Sequence, residues 1–242
     1  MKILITLFFI FTAPILSAEN INDFIAQYDV YKNDFPVAQS TRTLRSKNNV
    51  LNFSSETQTT GFAALFYSVK INETSQLELK DNNLHFVSYD FNESKNNKNK
   101  RYQLLIDKPS QKLFNTKTQQ YYTNHKNLQD MLGFTVAIMY DLKNGRRDLN
   151  YNLADKDKIN SYHLKFIKEE MITNGNKEIK TLKMEHYDTE KKQRFTLWCA
   201  PEYDFIPLKI RKIKNNDDEI LLALTKLNQN QFNLMYNKSE ID

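Results

Sequence analysis

Residues 127–145 read NLQDMLGFTVAIMYDLKNG, and this stretch decides the fold. Seven residues recur at the three- and four-residue spacing of a helix: Leu128, Met131, Leu132, Thr135, Val136, Met139 and Leu142. Phe134 and Ile138 add apolar surface on a second side. The pattern predicts a helix over about 127–143, with Asn127 as its N-cap and Gly145 just past its end. Because such a helix has no polar face, it must be buried on more than one side.

The rest of the chain reads as short strands in which apolar and polar residues alternate. Turns rich in Asn and Asp separate them, for example at 174–176 and 215–218. A sheet of many strands curls, and a helix without a polar face needs a concave partner. The sequence therefore predicts a mainly β fold, a strongly curved antiparallel sheet or half-barrel packed around the one buried helix. A closed up-and-down barrel is the alternative.

Residues 1–18, MKILITLFFIFTAPILSA, have the layout of a secretory signal peptide. Lys2 supplies the positive start, an apolar run follows, and Ser17-Ala18 offers a cleavage point before Glu19. The apolar run is shorter than the about 20 residues that a membrane-spanning helix needs, and no comparable stretch follows it. We therefore expect a periplasmic protein with no transmembrane segment after cleavage. Residues 19–242 are expected to form a single β-rich domain, because no linker divides them.

Charge and cysteine usage exclude two further classes of protein. The formal charge of +5 is spread along the chain without a long basic tract, so no binding to nucleic acid is expected. Cys199 is the one cysteine, which rules out an internal disulfide. It lies in an alternating strand, where a thiol is typically buried and inert. Its neighbour Trp198 is expected on the opposite face of the sheet.

The sequence contains no recognisable catalytic or metal-binding motif. The chain has four histidines, namely His85, His125, His163 and His186. They are far apart and form no HxH or HExxH unit, and GxSxG is absent. A cysteine nucleophile would need a histidine beside Cys199, but counting outward from the turn at 190–191 places His186 opposite a residue near Phe195 and not opposite Cys199. We therefore expect a protein that is not an enzyme and that holds no cofactor and no metal.

Several short motifs follow one another in an order that resembles a known family. They are Tyr28-Asp29-Val30, Arg42-Thr43-Leu44, Gly61-Phe62, Ser75-Gln76-Leu77-Glu78, Leu142-Lys143-Asn144-Gly145, and Arg194-Phe195-Thr196-Leu197-Trp198-Cys199-Ala200-Pro201 with Pro207-Leu208-Lys209-Ile210. This order resembles the domain of unknown function 3108, a family of bacterial envelope proteins. The resemblance implies no catalytic residues. The strand order with one buried helix also resembles, at the level of the fold, the periplasmic lipoprotein-carrier (LolA/LolB-like) superfamily, whose half-barrel holds acyl chains.

These resemblances favour a non-enzymatic periplasmic protein that binds or carries an apolar or acyl-bearing envelope molecule, such as a lipid or a lipidated component. One apolar stripe is enough to dock the helix on the sheet. The predicted ligand contacts are the apolar helix residues that docking does not need, namely Met131, Phe134 and Ile138. Tyr89 and Trp198 are further predicted contacts. Two alternatives stay open: a structural or interaction protein of envelope assembly whose core is filled by side chains, and an enzyme that acts on envelope glycans.

Overall fold

The computed structural model describes residues 20–96, 98–174, 177–215, 217–229 and 232–235. The predicted signal peptide at 1–18 lies outside this described part, as do residues 175 and 176 of the predicted turn at 174–176. Within it, the N-terminal strands are β1 (Phe24–Lys32), β2 (Phe35–Lys47), β3 (Val50–Thr59), β4 (Val69–Lys80), β5 (Asn83–Lys95), β6 (Lys98–Asp107), β7 (Lys112–Asn115) and β8 (Gln120–Tyr122).

The C-terminal half begins with a short strand and the helix. These elements are β9 (Leu128–Asp130), α1 (Gly133–Lys143), β10 (Asp148–Asp155), β11 (Lys158–Asn174), β12 (Lys177–Asp188), β13 (Gln193–Ala200), β14 (Ile206–Lys214), β15 (Asp218–Gln229) and β16 (Phe232–Met235). Two short 3₁₀ turns, η1 (Gly61–Leu65) and η2 (Pro201–Tyr203), interrupt the strands. The prediction of a mainly β fold with one helix is confirmed.

All the described strands belong to one sheet. Their order is β8-β7-β6-β5-β4-β3-β2-β1-β15-β14-β13-β12-β11-β10-β9, and β16 pairs with β15. Nearly every pair is antiparallel and joins strands that follow one another in the chain, whereas β9 and β10 are parallel. The pairing of β1 with β15 joins the two halves of the chain. The register of β12 and β13 places His186 opposite Phe195, which confirms the prediction that its partner lies near Phe195 and is not Cys199.

Pairs of Asn and Asp close several of the hairpins. Asn33 and Asp34, between β1 and β2, have φ angles of 46° and 68°. The two-residue turns at 48–49 and 81–82 are likewise formed by Asn and Asp with positive φ. Two-residue hairpins whose twist matches that of the strands need positive φ at both positions, and Asn and Asp adopt this conformation more readily than other non-Gly residues. This explains how a chain with 4 glycines forms so many tight turns.

The sheet curls until its two ends approach each other without pairing as strands. The Asn115 side-chain amide donates to the Lys156 carbonyl, and the Tyr122 hydroxyl donates to the Asp157 carbonyl at 3.2 Å. Gln129 Nε2 donates to the Leu84 carbonyl at 3.1 Å. Side-chain bonds therefore span the gap, and the backbone strand order of the described residues is that of an open half-barrel rather than of the closed alternative.

The helix begins later than the apolar spacing predicts. Leu128–Asp130 forms β9, and the helix starts at Gly133, so the predicted start and the N-cap role of Asn127 are wrong. Asn127 has a φ of 53° and its side chain donates to the Asn150 carbonyl. A run of three residues is too short for its spacing to distinguish a strand from a first helical turn.

The prediction that the helix is buried on more than one side is confirmed. Nine of its eleven residues are buried. Val136 and Met139 belong to the larger core cluster, which includes residues of β1 to β7. Ala137 and Ile138 belong to a second cluster formed with β10 to β14. The helix therefore lies between the two halves of the curled sheet and contributes side chains to the core of each half.

Candidate functional site

The predicted ligand contacts on the helix lie in the second core cluster. The Phe134 ring is 5.1 Å from the ring centroid of Tyr151, 5.8 Å from that of Tyr162 and 5.8 Å from that of Phe195. Ile138 is fully buried in the same cluster, and Met131 is half-buried against it. The structure therefore shows core packing at these positions, and ligand binding beside Met131 and Ile138 stays a prediction.

Tyr89 lies in the other half of the sheet and serves the core there. Its hydroxyl donates to Glu73 Oε1 at 2.6 Å, and its ring meets the Tyr102 ring edge-on at 6.0 Å. Burial raises the pKa of Tyr89, and the neighbouring Glu73 carboxylate raises it further. Tyr89 therefore stays protonated and hydrogen-bonded within the protein. It belongs to the larger core cluster, whereas the predicted ligand contacts Phe134 and Ile138 belong to the second.

Asp130 holds the start of the helix and is fully buried. Its Oδ1 accepts hydrogen bonds from the backbone N–H groups of Leu132 and Gly133, both at 2.8 Å. Its Oδ2 accepts a bond from the Ser75 hydroxyl on β4. Burial raises the pKa of Asp130 to about 6, although these three hydrogen bonds lower it. The carboxyl group thus caps the helix, which the predicted N-cap Asn127 does not.

The thiol of Cys199 is enclosed in the second cluster. It is fully buried, and burial raises its pKa. Cys199 on β13 pairs with Leu182 on β12, whereas His186, the histidine of β12, pairs with Phe195. A protonated thiol without an adjacent base is a poor nucleophile, which agrees with the structural role predicted for Cys199.

Trp198 lies on the outer face of the sheet, opposite to Cys199 as predicted. It pairs with Lys183 on β12 and with Lys209 on β14, so a row of Lys, Trp and Lys crosses three strands. A groove of about 440 Å³ runs over this row. Its lining residues are Asp34, Glu170, Met171, Ile172, Thr173, Lys183, Trp198, Lys209, Arg211, Glu219 and Leu221. Trp198 belongs to the larger core cluster, as Tyr89 does, whereas Met131, Phe134 and Ile138 pack in the second cluster.

An apolar surface that the sequence analysis missed lies at residues 61–67, GFAALFY. The exposed fractions of Phe62, Leu65 and Phe66 are 74%, 77% and 70%. The Phe62 and Phe66 rings meet edge-on at 5.0 Å. The signal was present in the sequence, because this run breaks the alternation of the neighbouring strands without supplying the length of a buried helix. We call residues 61–67 the apolar segment.

The apolar segment is held in place at both ends. Thr60 N–H donates to the Val37 carbonyl at 3.1 Å, and the Thr59 hydroxyl donates to the Tyr67 carbonyl at 3.3 Å. The backbone just beyond it is bonded to the β5–β6 hairpin, because Asn96 N–H donates to the Ser68 carbonyl at 3.1 Å. This hairpin and the start of β4 carry the exposed side chains of Lys70, Lys95 and Lys98. Exposed apolar and cationic groups therefore occur at the same end of the sheet.

The family model described as Protein of unknown function (DUF3108) matches residues 27–222. The chain belongs to this family. The matched region of this DUF3108 chain runs from β1 to β15 and includes the helix, the apolar segment and the Trp198 groove. No curated protein sequence matches the chain significantly.

A crystal structure shows that the fold of this DUF3108 chain occurs elsewhere. The "Beta-barrel-like Protein of Domain of Unknown Function DUF1849 from Brucella abortus" aligns with a TM-score of 0.56 at 9% sequence identity. The alignment covers 88% of this chain and 100% of the Brucella chain. At this identity the likeness is one of fold alone, and it agrees with the barrel-like curvature seen here.

The described residues contain neither a candidate membrane-spanning helix nor a candidate metal site. No helix in the described ranges is both long enough and apolar enough to span a bilayer. Among those same residues, no three His, Cys, Asp or Glu side chains are placed to hold a metal ion together.

Proposed function

We propose that this protein is a non-enzymatic binding protein of the bacterial envelope, exported to the periplasm, and that it binds acyl-bearing envelope molecules at a bilayer surface. The observation that carries the proposal is the exposure of Phe62, Leu65 and Phe66 in the apolar segment. Contiguous exposed apolar side chains on a soluble domain mark a surface that something else covers. Acyl chains of a lipid or of a lipidated component are suited to cover it.

The charges around the apolar segment support a bilayer as the place of contact. Transfer of a Leu or Phe side chain out of water contributes about 1.5 to 3 kcal/mol. Each lysine near an anionic membrane surface adds about 1 kcal/mol, and Lys70, Lys95 and Lys98 are exposed at this end of the sheet. Three short apolar insertions with a few cations give reversible binding rather than permanent anchoring.

Vesicle binding tests the proposal. The mature protein is sedimented with vesicles of phosphatidylglycerol and phosphatidylethanolamine, and a triple variant, Phe62→Ser with Leu65→Ser and Phe66→Ser, is compared with it. We expect at least a tenfold loss of binding in the variant, because several kcal/mol of apolar transfer is removed. Its thermal midpoint should stay close to that of the wild type, since none of these side chains is buried.

A matched control removes exposed apolar groups elsewhere. Ile167, Tyr187 and Ile220 are each at least 40% exposed and belong to other strands. Their triple replacement by Ser should leave vesicle binding unchanged. Equal losses in both triple variants, or no binding by the wild type to these vesicles, would contradict the proposal. Export is tested separately by N-terminal sequencing of the periplasmic protein, which should begin near Glu19.

The second candidate function is that of a structural or interaction protein of envelope assembly. The tight aromatic packing around Phe134 favours it, because the place predicted for a ligand is occupied by Tyr151, Tyr162 and Phe195. Native mass spectrometry after mild purification distinguishes the two candidates. Co-purified lipid supports the binding protein. A clean protein that also fails to bind vesicles supports the interaction protein, whose partner would then cover the apolar segment.

A further inference from the structure

We propose that the outer groove over Trp198 binds a ligand that carries a phosphate or carboxylate group beside a flat or apolar group. This site is separate from the apolar segment and does not depend on membrane contact. The groove measures about 440 Å³, which is within the range of about 300 to 1,000 Å³ of small-molecule sites. Three features support this inference: the burial of Trp198, the ion pairing of the lysine and arginine side chains beside it, and the positions of the carboxylates in the groove.

Trp198 is almost covered although it faces outward. Its neighbours Leu197 and Cys199 point into the second core cluster, so the alternation of side chains directs the indole to the outer face. Its exposed fraction is nevertheless 6%, and it belongs to the larger core cluster together with Ile172 and Ile179. Lys183 Nζ lies 5.0 Å from the ring centroid and Arg211 Cζ lies 5.3 Å from it. Two cations therefore lie against one aromatic ring in the floor of the groove.

The cations of the groove are incompletely neutralised. Lys183 has a carboxylate partner, Glu170 Oε2 at 3.7 Å. Within the described residues, no carboxylate makes a salt bridge with Lys209 or Arg211. The Arg211 Nε–H is buried and has no hydrogen-bond acceptor among the residues that the structure describes. Burial and the nearby Arg211 charge lower the pKa of Lys209, and the Glu170 charge offsets them only in part. An anion over Lys209 and Arg211 would pair with two cations that lack a salt bridge within the described residues.

The carboxylates determine where in the groove an anion fits. Burial by itself would raise the pKa of Glu170, but the Trp198 indole N–H and the Lys183 and Lys168 charges lower it overall. Glu170 is therefore ionised, and its Oε2 forms ion pairs with Lys168 at 3.4 Å and Lys183 at 3.7 Å. Asp34 and Glu219 line the groove beyond Arg211 and repel a second negative charge there. The anionic group thus belongs over Lys209 and Arg211, with the apolar group along Trp198, Leu221 and Ile172.

The protein carries its own reporter for this site, because Trp198 is the one tryptophan of the chain. Its fluorescence is followed in the mature protein during titration with phenyl phosphate, inorganic phosphate and dihexanoyl phosphatidylglycerol. We expect a saturable change with phenyl phosphate that weakens as salt is added. Tighter binding of the short-chain lipid identifies a lipid headgroup as the source of the phosphate. Equal or tighter binding of phenyl phosphate identifies a free small molecule.

Paired variants assign the response to the groove. Arg211→Gln with Lys209→Gln should weaken phenyl phosphate binding about tenfold or more, because two charge-assisted contacts are lost. The control, Lys214→Gln with Lys226→Gln, removes the same charge at exposed positions outside the groove lining and should leave the affinity unchanged. Equal affinities in all three proteins would overturn the proposal. So would the absence of any saturable, salt-sensitive response of the wild type to the three probes, which needs no variant to fold.

Discussion

Two apolar segments of this protein begin alike and end in opposite environments. Residues 61–67 read GFAALFY and residues 133–140 read GFTVAIMY. In the first segment no residue of η1 is buried, whereas every residue of the second is buried. Apolar composition is therefore not what decides burial here. The difference lies in how each segment is connected to the sheet.

The helix is both longer and fixed from outside. Its eleven residues form their own backbone hydrogen bonds, and Asp130 and Ser75 tie its first turn to β4. The apolar segment forms only the five-residue 3₁₀ turn η1, which lies in the connection between β3 and β4. The helix has sheet on two sides, while the segment lies at the end of the strands. This contrast gives four predictions, from the largest effect to the smallest.

The first glycine of each segment gives the sharpest contrast. A Cβ at Gly133 would collide with Ser75 Oγ, and would lie 2.7 Å from Asp130 Oδ2 and 3.2 Å from Leu77. Gly133→Ala should therefore lower the free energy of unfolding by about 4 kcal/mol or more, because it overpacks the core and breaks a buried hydrogen bond. Urea denaturation measures the loss.

Gly61 is the matched control for Gly133. A Cβ there meets nothing within 4 Å among the described residues, but φ is +58°. Gly61→Ala should cost only about 1 kcal/mol, from backbone strain. A Gly133→Ala protein as stable as Gly61→Ala would show that the close approach of the helix to β4 is absent.

The second prediction compares a buried and an exposed aliphatic side chain. Ile138 is fully buried in the second core cluster, whereas Leu65 is 77% exposed. Ile138→Ala should cost about 3 kcal/mol, within the range for a packed core, and Leu65→Ala less than about 0.5 kcal/mol. Chemical denaturation of both variants measures this. A loss below about 1 kcal/mol for Ile138→Ala would indicate a cavity wall and would favour a ligand beside Met131.

The third prediction concerns the carboxyl group that fixes the helix. The pKa of Asp130 is raised from 3.8 to about 6 in the folded protein, so the folded state holds this proton more tightly than the unfolded state does. The stability from Asp130 is complete below about pH 4 and is lost as pH rises through 6. Asp130→Asn can keep the contacts to Leu132, Gly133 and Ser75 without a charge.

The size of the Asp130 effect follows from the shift in its pKa. Between pH 4 and pH 7 the difference in unfolding free energy between Asp130→Asn and the wild type should change by about 2 to 3 kcal/mol in favour of the variant. Denaturation curves at the two pH values measure it, and the difference between the proteins cancels the other titrating groups. A difference that does not vary with pH would contradict the buried carboxyl group.

The smallest effect in the buried region is expected at Cys199. It is packed as a small apolar side chain in the cluster of Phe134 and Ile138. Cys199→Ala should cost about 1 kcal/mol and leave vesicle binding intact. In the native wild type the thiol should react slowly with a thiol reagent, since burial raises its pKa. Loss of vesicle binding at an unchanged thermal midpoint would contradict this structural role.

Local sequence pattern was enough for much of the fold. The alternation of apolar residues predicted the strands, and counting from one turn predicted that the partner of His186 lies near Phe195, where the structure has it. The missing polar face of the helix predicted burial on two sides. These inferences succeeded because strand and helix periods depend on backbone geometry that neighbouring residues share. The same pattern placed the start of the helix too early, since residues 128–130 fit both periods.

The candidate sites depended on contacts between residues that are distant in the chain. Asp130 meets Ser75 across 55 positions, and Lys183, Trp198 and Lys209 line up only once three strands are in register. Phe134 is buried because the curled sheet brings Tyr151, Tyr162 and Phe195 against its ring. Phe62 is exposed because its segment lies at the end of the strands. Sequence pattern specifies which side chains gain by leaving water, because that preference is carried by each residue, but the exposed Phe62 shows that it does not decide which of them are buried. Which neighbours they meet depends on how the whole sheet curls, because that decides which distant surfaces come into contact.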